Sequence, residues 1–149
     1  MIIVANDPFN AGELQETLRT SQLSCGAIVS FIGTVRDINE GESVTALTLE
    51  HYPGMTESVL QSIVEQAKNR FGVSQIDIYH RIGTLTVNEP IVYVAVASQH
   101  RAAAFQACEF VMDFLKTEAP FWKKEHRAQG EAVWLEQAAK EAKAKSRWL

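Results

Sequence analysis

The stretch FLKTEAPFWKKEHR, residues 114 to 127, sets Lys116 and Lys123 on either side of Pro120, with Phe121 and Trp122 between them and Lys124 and Glu125 following. Two ammonium groups that bracket a proline turn can converge on one point, which a straight helix has no need of a proline to achieve. A lysine held against aromatic walls loses hydration, and its pKa falls from about 10.4 toward the range useful for proton transfer. Such a pair suits anion binding and acid–base chemistry. The plain alternative is a hairpin with exposed lysines over a buried aromatic pair. Lys116 alone is also accounted for by its place in a last helical turn, where the dipole favours a cation and Asp113 stands three residues back.

Further cations stand at the ends of elements. His100 and Arg101 open a helical pattern, although a helix N-terminus already carries about half a positive charge and disfavours them by a few tenths of a kcal/mol. An anion bound to the free amides and the two side chains would offset that. Side chains pointing into solvent would also satisfy the pattern. Arg36 follows the strand-like SFIGTV near Gly33, where backbone can approach a ligand closely. Taken together, Arg36, His100, Arg101, Lys116, Lys123 and Lys124 suggest a local pocket for a phosphorylated small molecule in a chain whose formal net charge is −4. That charge gives no general attraction to nucleic acid or to an anionic membrane.

The elements that must position these groups follow from periodicity. Residues 1 to 4 read as a strand, AGELQETLRT as a helix, CGAIVSFIGTVRD as a β-rich run, and Val44 to Glu50 as a strand. HYPGM turns into a helix from about Thr56 to Arg70, closed by Gly72. Ile76, Ile78 and His80 alternate with polar neighbours, TLTVNEP forms a turn, and Ile91 to Ala97, apolar on both faces, makes a central strand. Ser98 stands where an N-cap belongs, ahead of a helix to Thr117 with Ala104, Cys108, Val111 and Leu115 on one face and Gln106, Glu109, Asp113 and Lys116 on another. Pro120 stops it. Phe121 to Arg127 and Glu131 to Leu135 pair as a hairpin, and an Ala/Lys-rich helix ends near Trp148. The expected fold is α+β: one domain over residues 1–149, with a mixed, largely antiparallel sheet, flanking helices and a C-terminal hairpin plus helix.

With 149 residues, 46% of them hydrophobic, the chain can bury a core without staples. The N-terminus lacks a basic n-region and the longest apolar run is too short to span a bilayer, so a cytoplasmic protein is expected. Cys25 and Cys108 have no partner at metal-ligand spacing and read as small core residues.

The motifs FIGTVRD, LTLEHYPGM, HRIG, SQHRAAAF and MDFLKTEAPFWKKE, in this order and over nearly the whole chain, closely resemble the large, catalytic subunit of molybdopterin synthase. The resemblance implies a sulfur transfer in molybdenum cofactor biosynthesis, in which cyclic pyranopterin monophosphate gains two dithiolene sulfurs to become molybdopterin. It implies a small ubiquitin-like partner carrying a thiocarboxylate on its C-terminal Gly-Gly, with two such partners flanking a homodimer of the large subunit in a heterotetramer. By the same resemblance Lys116 and Lys123 are catalytic, and Thr34, Val35, Arg36, His100, Arg101, Lys124 and Glu125 join them in binding substrate. No resident cofactor or metal is expected. In other members the C-terminal helix can add an arginine to the anion pocket; here WLEQAAKEAK offers Gln137 and Ala138, with Lys140 the nearest cation. A non-catalytic phosphate-binding module and a pure scaffold for the small partner are the alternatives. His100 and Lys116 lie roughly 24 Å apart along one helix, so a single pocket using both requires a second copy of the chain.

Overall fold

The computed structural model describes residues 1–136 and 139–149. Its strands form two sheets. The first contains β1 (Ile2–Ala5), β2 (Ala27–Thr34), β5 (Gln75–Arg81) and β7 (Pro90–Ser98) in the order β1-β5-β7-β2, with β1 and β5 parallel and the other neighbours antiparallel. The second is built on β4 (Glu42–His51), which pairs with β6 (Gly83–Thr86) on one edge and β8 (Phe121–Arg127) on the other; β3 (Ile38–Asn39) and β9 (Val133–Trp134) extend it.

The mixed, largely antiparallel character is as expected, but the one sheet is divided in two. The division falls at Gly83, which has φ +87 and whose added Cβ would lie 2.5 Å from Asn6 Oδ1. The turn there sends the chain from β5 into β6, so half of the segment expected as a turn is a strand.

β7 is apolar on successive positions and, as such a pattern requires, is covered on both faces. Val92, Val94 and Val96 face α2 (Met55–Phe71) and α3 (Arg101–Glu118), with Leu60, Ile63, Phe110 and Val111 in the same core. Tyr93, Ala95 and Ala97 face α1 (Ala11–Ser21) through Leu18. Cys108 belongs to the first of these cores and Cys25 packs at the border of the second. Gly72 caps α2 at φ 67, its N–H bonding to the Lys68 carbonyl, as expected.

Ser98 is not an N-cap. It is the last residue of β7, paired with Ala27 and buried, and α3 begins only at Arg101 with His100 as the extended capping residue, its side chain making no capping bond. Strand pairing with β2 holds Ser98 extended beyond the point where the local signal would start the helix. α3 ends at Glu118, where Pro120 forces the preceding Ala119 into an extended conformation (ψ 130). The hairpin of β8 and β9 and the last helix, α4 (Ala139–Ser146), form as expected.

The Pro120 turn is tied down from α2. Thr56 is fully buried; its hydroxyl donates to the Pro120 carbonyl at 3.1 Å and accepts from the Tyr52 N–H at 3.0 Å. Thr56→Val keeps the volume and strands both backbone groups, so it should lower unfolding stability by about 1–3 kcal/mol, read from urea unfolding curves. An unchanged midpoint would show that the turn is held elsewhere.

Candidate active site: a lysine pair in a cleft between the sheets

β8 alternates its side chains between two faces. Phe121, Lys123, Glu125 and Arg127 point one way; Trp122, Lys124 and His126 point the other. Lys123 therefore turns toward the end of α3, where Lys116 occupies the last helical turn. The two line one cleft with Thr34, Val35, Arg36, Asn39, Val44, Leu47, Ile91, Glu125 and Leu135. The enclosed part of this cleft is about 120 Å³.

One part of the lining is aliphatic, formed by Val35, Val44, Leu47, Ile91 and Leu135. Val35, Leu47, Leu49 and Leu85 form a small buried core against which Ile91 and Leu135 pack, and Lys123 sits across from Leu49 in the β4–β8 ladder. Burial beside this cluster is the main force that pushes the Lys123 pKa down to about 7; the neighbouring Lys116 adds to the effect, and Arg36 adds less. The expected aromatic wall is only half present. Phe121 shares the face of Lys123, whereas Trp122 lies on the opposite face and is 48% exposed.

Glu125 is the buried acid of the cleft. It accepts from Asn39 Nδ2 at 2.8 Å and pairs with Arg127 Nε at 3.0 Å. Asn39 in turn accepts from Arg36 Nη2 at 3.4 Å. The Thr34–Arg36 segment is fixed by backbone bonds from Val35 N–H to the Glu89 carbonyl and from Asn88 N–H to the Val35 carbonyl. Gly33 does not open space for a ligand. An added Cβ there would lie 2.9 Å from Val92, and the register slip between Gly33 and Thr34 turns the segment toward the cleft.

Of the residues expected to bind or react, Thr34, Val35, Arg36, Lys116, Lys123 and Glu125 meet in this cleft. Lys124 does not; strand alternation puts it on the far face of β8, 5.7 Å above the Trp134 ring. His100 and Arg101 stand at the opposite end of the 18-residue α3. Gln137 and Ala138 lie outside the described residues. Lys140 is exposed on α4, and the α4 side chain that acts on Lys123 is a carboxylate, Glu141, which raises its proton affinity. Asn39, Ile91 and Leu135 were missed as cleft residues, as were Thr56 and His80 behind it. For His80 a signal existed, since it ends the alternating row of Ile76 and Ile78.

A partly dehydrated lysine titrating near neutrality, a second ammonium beside it and an arginine at the rim define an anion-handling site equipped for proton transfer. The MoaE protein family matches residues 4–118. The molybdopterin synthase catalytic subunit of Ralstonia nicotianae is 50% identical over 147 residues, covering 99% of this chain and 83% of that protein, and that of Escherichia coli is 47% identical over 147 residues, covering 99% and 97%. A solved MoaE protein from Burkholderia ambifaria superimposes with a TM-score of 0.85 at 42% identity, covering 99% of this chain and 97% of that one. The chain belongs to the MoaE family.

Lys123 also links stability to pH. Its pKa is lower in the folded chain, about 7, than when unfolded, about 10.4. Between these values the unfolded state binds more protons, so the penalty for burying the ammonium is full below about pH 7 and fades as pH rises. Lys123→Met should therefore be more stable than the parent chain near pH 7, with the advantage shrinking toward pH 10 at up to about 1.4 kcal/mol per pH unit. Urea unfolding at several pH values measures this; a pH-independent difference would contradict a buried, titrating ammonium.

Proposed function

We propose that this chain is the catalytic subunit of a molybdopterin synthase, a cytoplasmic sulfurtransferase that converts cyclic pyranopterin monophosphate to molybdopterin. The observation that carries the reading is the convergence of Lys116 and Lys123 in one cleft with Arg36 and Glu125. The relatives are named as a catalytic subunit, a term that implies another subunit, and Cys108 is a poor sulfur carrier. It is buried, and burial pushes its thiol up to about 11, far from a reactive thiolate. In this reading the sulfur comes from outside, from the C-terminal Gly-Gly thiocarboxylate of a small ubiquitin-like partner.

The thiocarboxylate sulfur attacks an oxygen-bearing side-chain carbon of the pterin; a carbon–sulfur bond forms as the carbon–oxygen bond breaks, the oxygen leaving as water or with the phosphate, and the product is a thioester between substrate and partner. Water cleaves it through a tetrahedral oxyanion, leaving the sulfur on the pterin and a carboxylate on the partner. Lys116 and Lys123 hold the oxyanion and the phosphate, and Lys123, near half protonation at pH 7, moves the proton.

The enclosed volume of about 120 Å³ suits a phosphate but is less than the roughly 300 Å³ or more of ordinary small-molecule sites. We assign the remainder to a second copy of the chain in a homodimer, which with two small partners makes a heterotetramer. β2 is an edge strand with Phe31 and Ile32 exposed, and Phe105, one turn from Arg101, is 60% exposed beside it in an apolar groove with Val29, Cys108 and Met112. A two-fold contact there brings His100 and Arg101 of one chain toward the lysine cleft of the other.

Incubation with the thiocarboxylated partner and cyclic pyranopterin monophosphate, followed by mass analysis of the pterin, tests the reaction. Lys116→Ala should lose about 10²–10⁴-fold in turnover with the fold intact, because its side chain is exposed, and Lys116→Arg should not restore it. Full turnover in Lys116→Arg would show that Lys116 supplies charge alone and moves no proton, whereas a non-catalytic binding module would turn over no substrate in the parent chain either.

The composite site has its own test. Inactive Lys116→Ala and Arg101→Ala chains, mixed under subunit exchange, should recover roughly a quarter of the parent activity, because half of a statistical mixture is mixed dimer with one undamaged site. No recovery despite proven mixed dimers would remove the second copy from the mechanism.

A further inference from the structure

His80 ends the inward row of β5 and is 3% exposed. Its Nδ1 lies 2.8 Å from the Arg81 carbonyl oxygen, which only accepts, so Nδ1 carries the ring proton in the neutral form and Nε2 keeps its lone pair. The ring stacks on Phe121 with centroids 3.8 Å apart and planes 16° from parallel. Phe121 is the first residue of β8 and shares its face with Lys123, two residues on. This stack joins the first sheet to the second where the chain leaves the Pro120 turn.

The groups around the ring come from several elements. Lys123 of β8, Lys116 of α3 and His51 at the end of β4 each act on it electrostatically. Beyond His51, Glu57 Oε1 of α2 stands 3.9 Å from His51 Nε2. Arg81, the next residue on β5, turns to the Asn6 carbonyl and to Glu89. Core packing explains a buried apolar side chain at position 80. It does not explain an imidazole with one nitrogen anchored, at the back of two lysines.

We propose that His80 is a positioning residue of the lysine pair: anchored to the Arg81 carbonyl and stacked on Phe121, it fixes the start of β8 and hence the placement of Lys123 beside Lys116. The inference rests on the proposed reading of the cleft as the active site. Burial, then the neighbouring lysines and His51, push the His80 pKa down to about 3 against the opposing pull of the Arg81 carbonyl. The ring stays neutral at working pH and adds no third cation to the cleft. Its bulk also keeps water from the back of Lys123, and loss of the ring should let the Lys123 pKa climb from about 7 toward its ordinary value.

Three variants separate the parts. His80→Phe keeps the aromatic face and loses the anchor; His80→Gln keeps an amide that can donate to the Arg81 carbonyl and loses the face; His80→Ala loses both. Two readouts apply to the full-length chain: titration of the Lys123 side chain by ¹³Cε NMR, and the pH profiles of kcat and kcat/KM with the thiocarboxylated partner. The expected result is that His80→Phe and His80→Gln, each keeping one of the two contacts, lose about threefold to tenfold in kcat with little change in KM, and that His80→Ala loses more than either. In His80→Gln and His80→Ala, which lack the ring, the Lys123 titration should move up by about one unit or more. Should His80→Ala not fold, the Phe and Gln pair decides. Parent-like kcat in both His80→Phe and His80→Gln, or parent-like Lys123 titration in His80→Gln, would overturn the role. A parent chain that makes no product would instead defeat the functional reading, and the NMR titration would still decide the role of His80.

Discussion

Two ammonium groups sharing one cleft repel each other, and the rest of the fold is arranged around keeping them there. Like unit charges about 4 Å apart repel by roughly 1 kcal/mol in water and about 4 kcal/mol at the effective dielectric of a protein surface. Flexible carriers would splay apart. Here one lysine rides on the end of an 18-residue helix packed on the first sheet, and the other on a strand zipped to β4 through seven paired positions. Between them the chain turns at Pro120, whose carbonyl Thr56 clamps from α2. Part of the repulsion is relieved chemically, because the lowered pKa of Lys123 leaves it only about half protonated near neutrality.

The surroundings leave what charge remains free for an anion. Lys123 is set against Leu49, Ile91 and Leu135, which strip its hydration and offer it no counter-charge. The buried carboxylate of Glu125, which would otherwise quench the ammoniums, is held by Arg127 and Asn39. A chain with net charge −4 thus keeps one positive cleft, and any attraction it exerts is local.

How much of this was legible in the sequence depends on the range of the interactions. Pro120 announced the end of α3, Gly72 the end of α2, and the two-faced apolar run the central strand, because each signal is local and nothing distant opposes it. Ser98 failed because β2 pairs with it and holds it extended, a contact from some seventy residues away. The division into two sheets depends on the close approach of Gly83 to Asn6, which no periodicity records. In the site, Lys116, Lys123 and Arg36 stood out by residue type and place. Lys124 lies outside the cleft because adjacency in a strand means opposite faces, and the wall differs from expectation for the same reason: Trp122 is next to Lys123 in sequence and behind it in space. Thr56 and His80 stayed hidden because their partners, Pro120 and Phe121, come from the far end of the chain.

The separation of His100 and Arg101 from the cleft has a further consequence. Both stand at the start of a helix whose macrodipole already disfavours cations, and neither has an ion-pair partner among the described residues. Within one chain they are positions without a counter-charge, next to exposed Phe105 and an unpaired strand edge. The proposed second copy would resolve these features together. It would cover the apolar groove, protect the edge of β2, and bring the two cations toward an anion they cannot approach alone. On that proposal the site of one chain is incomplete, and assembly completes it.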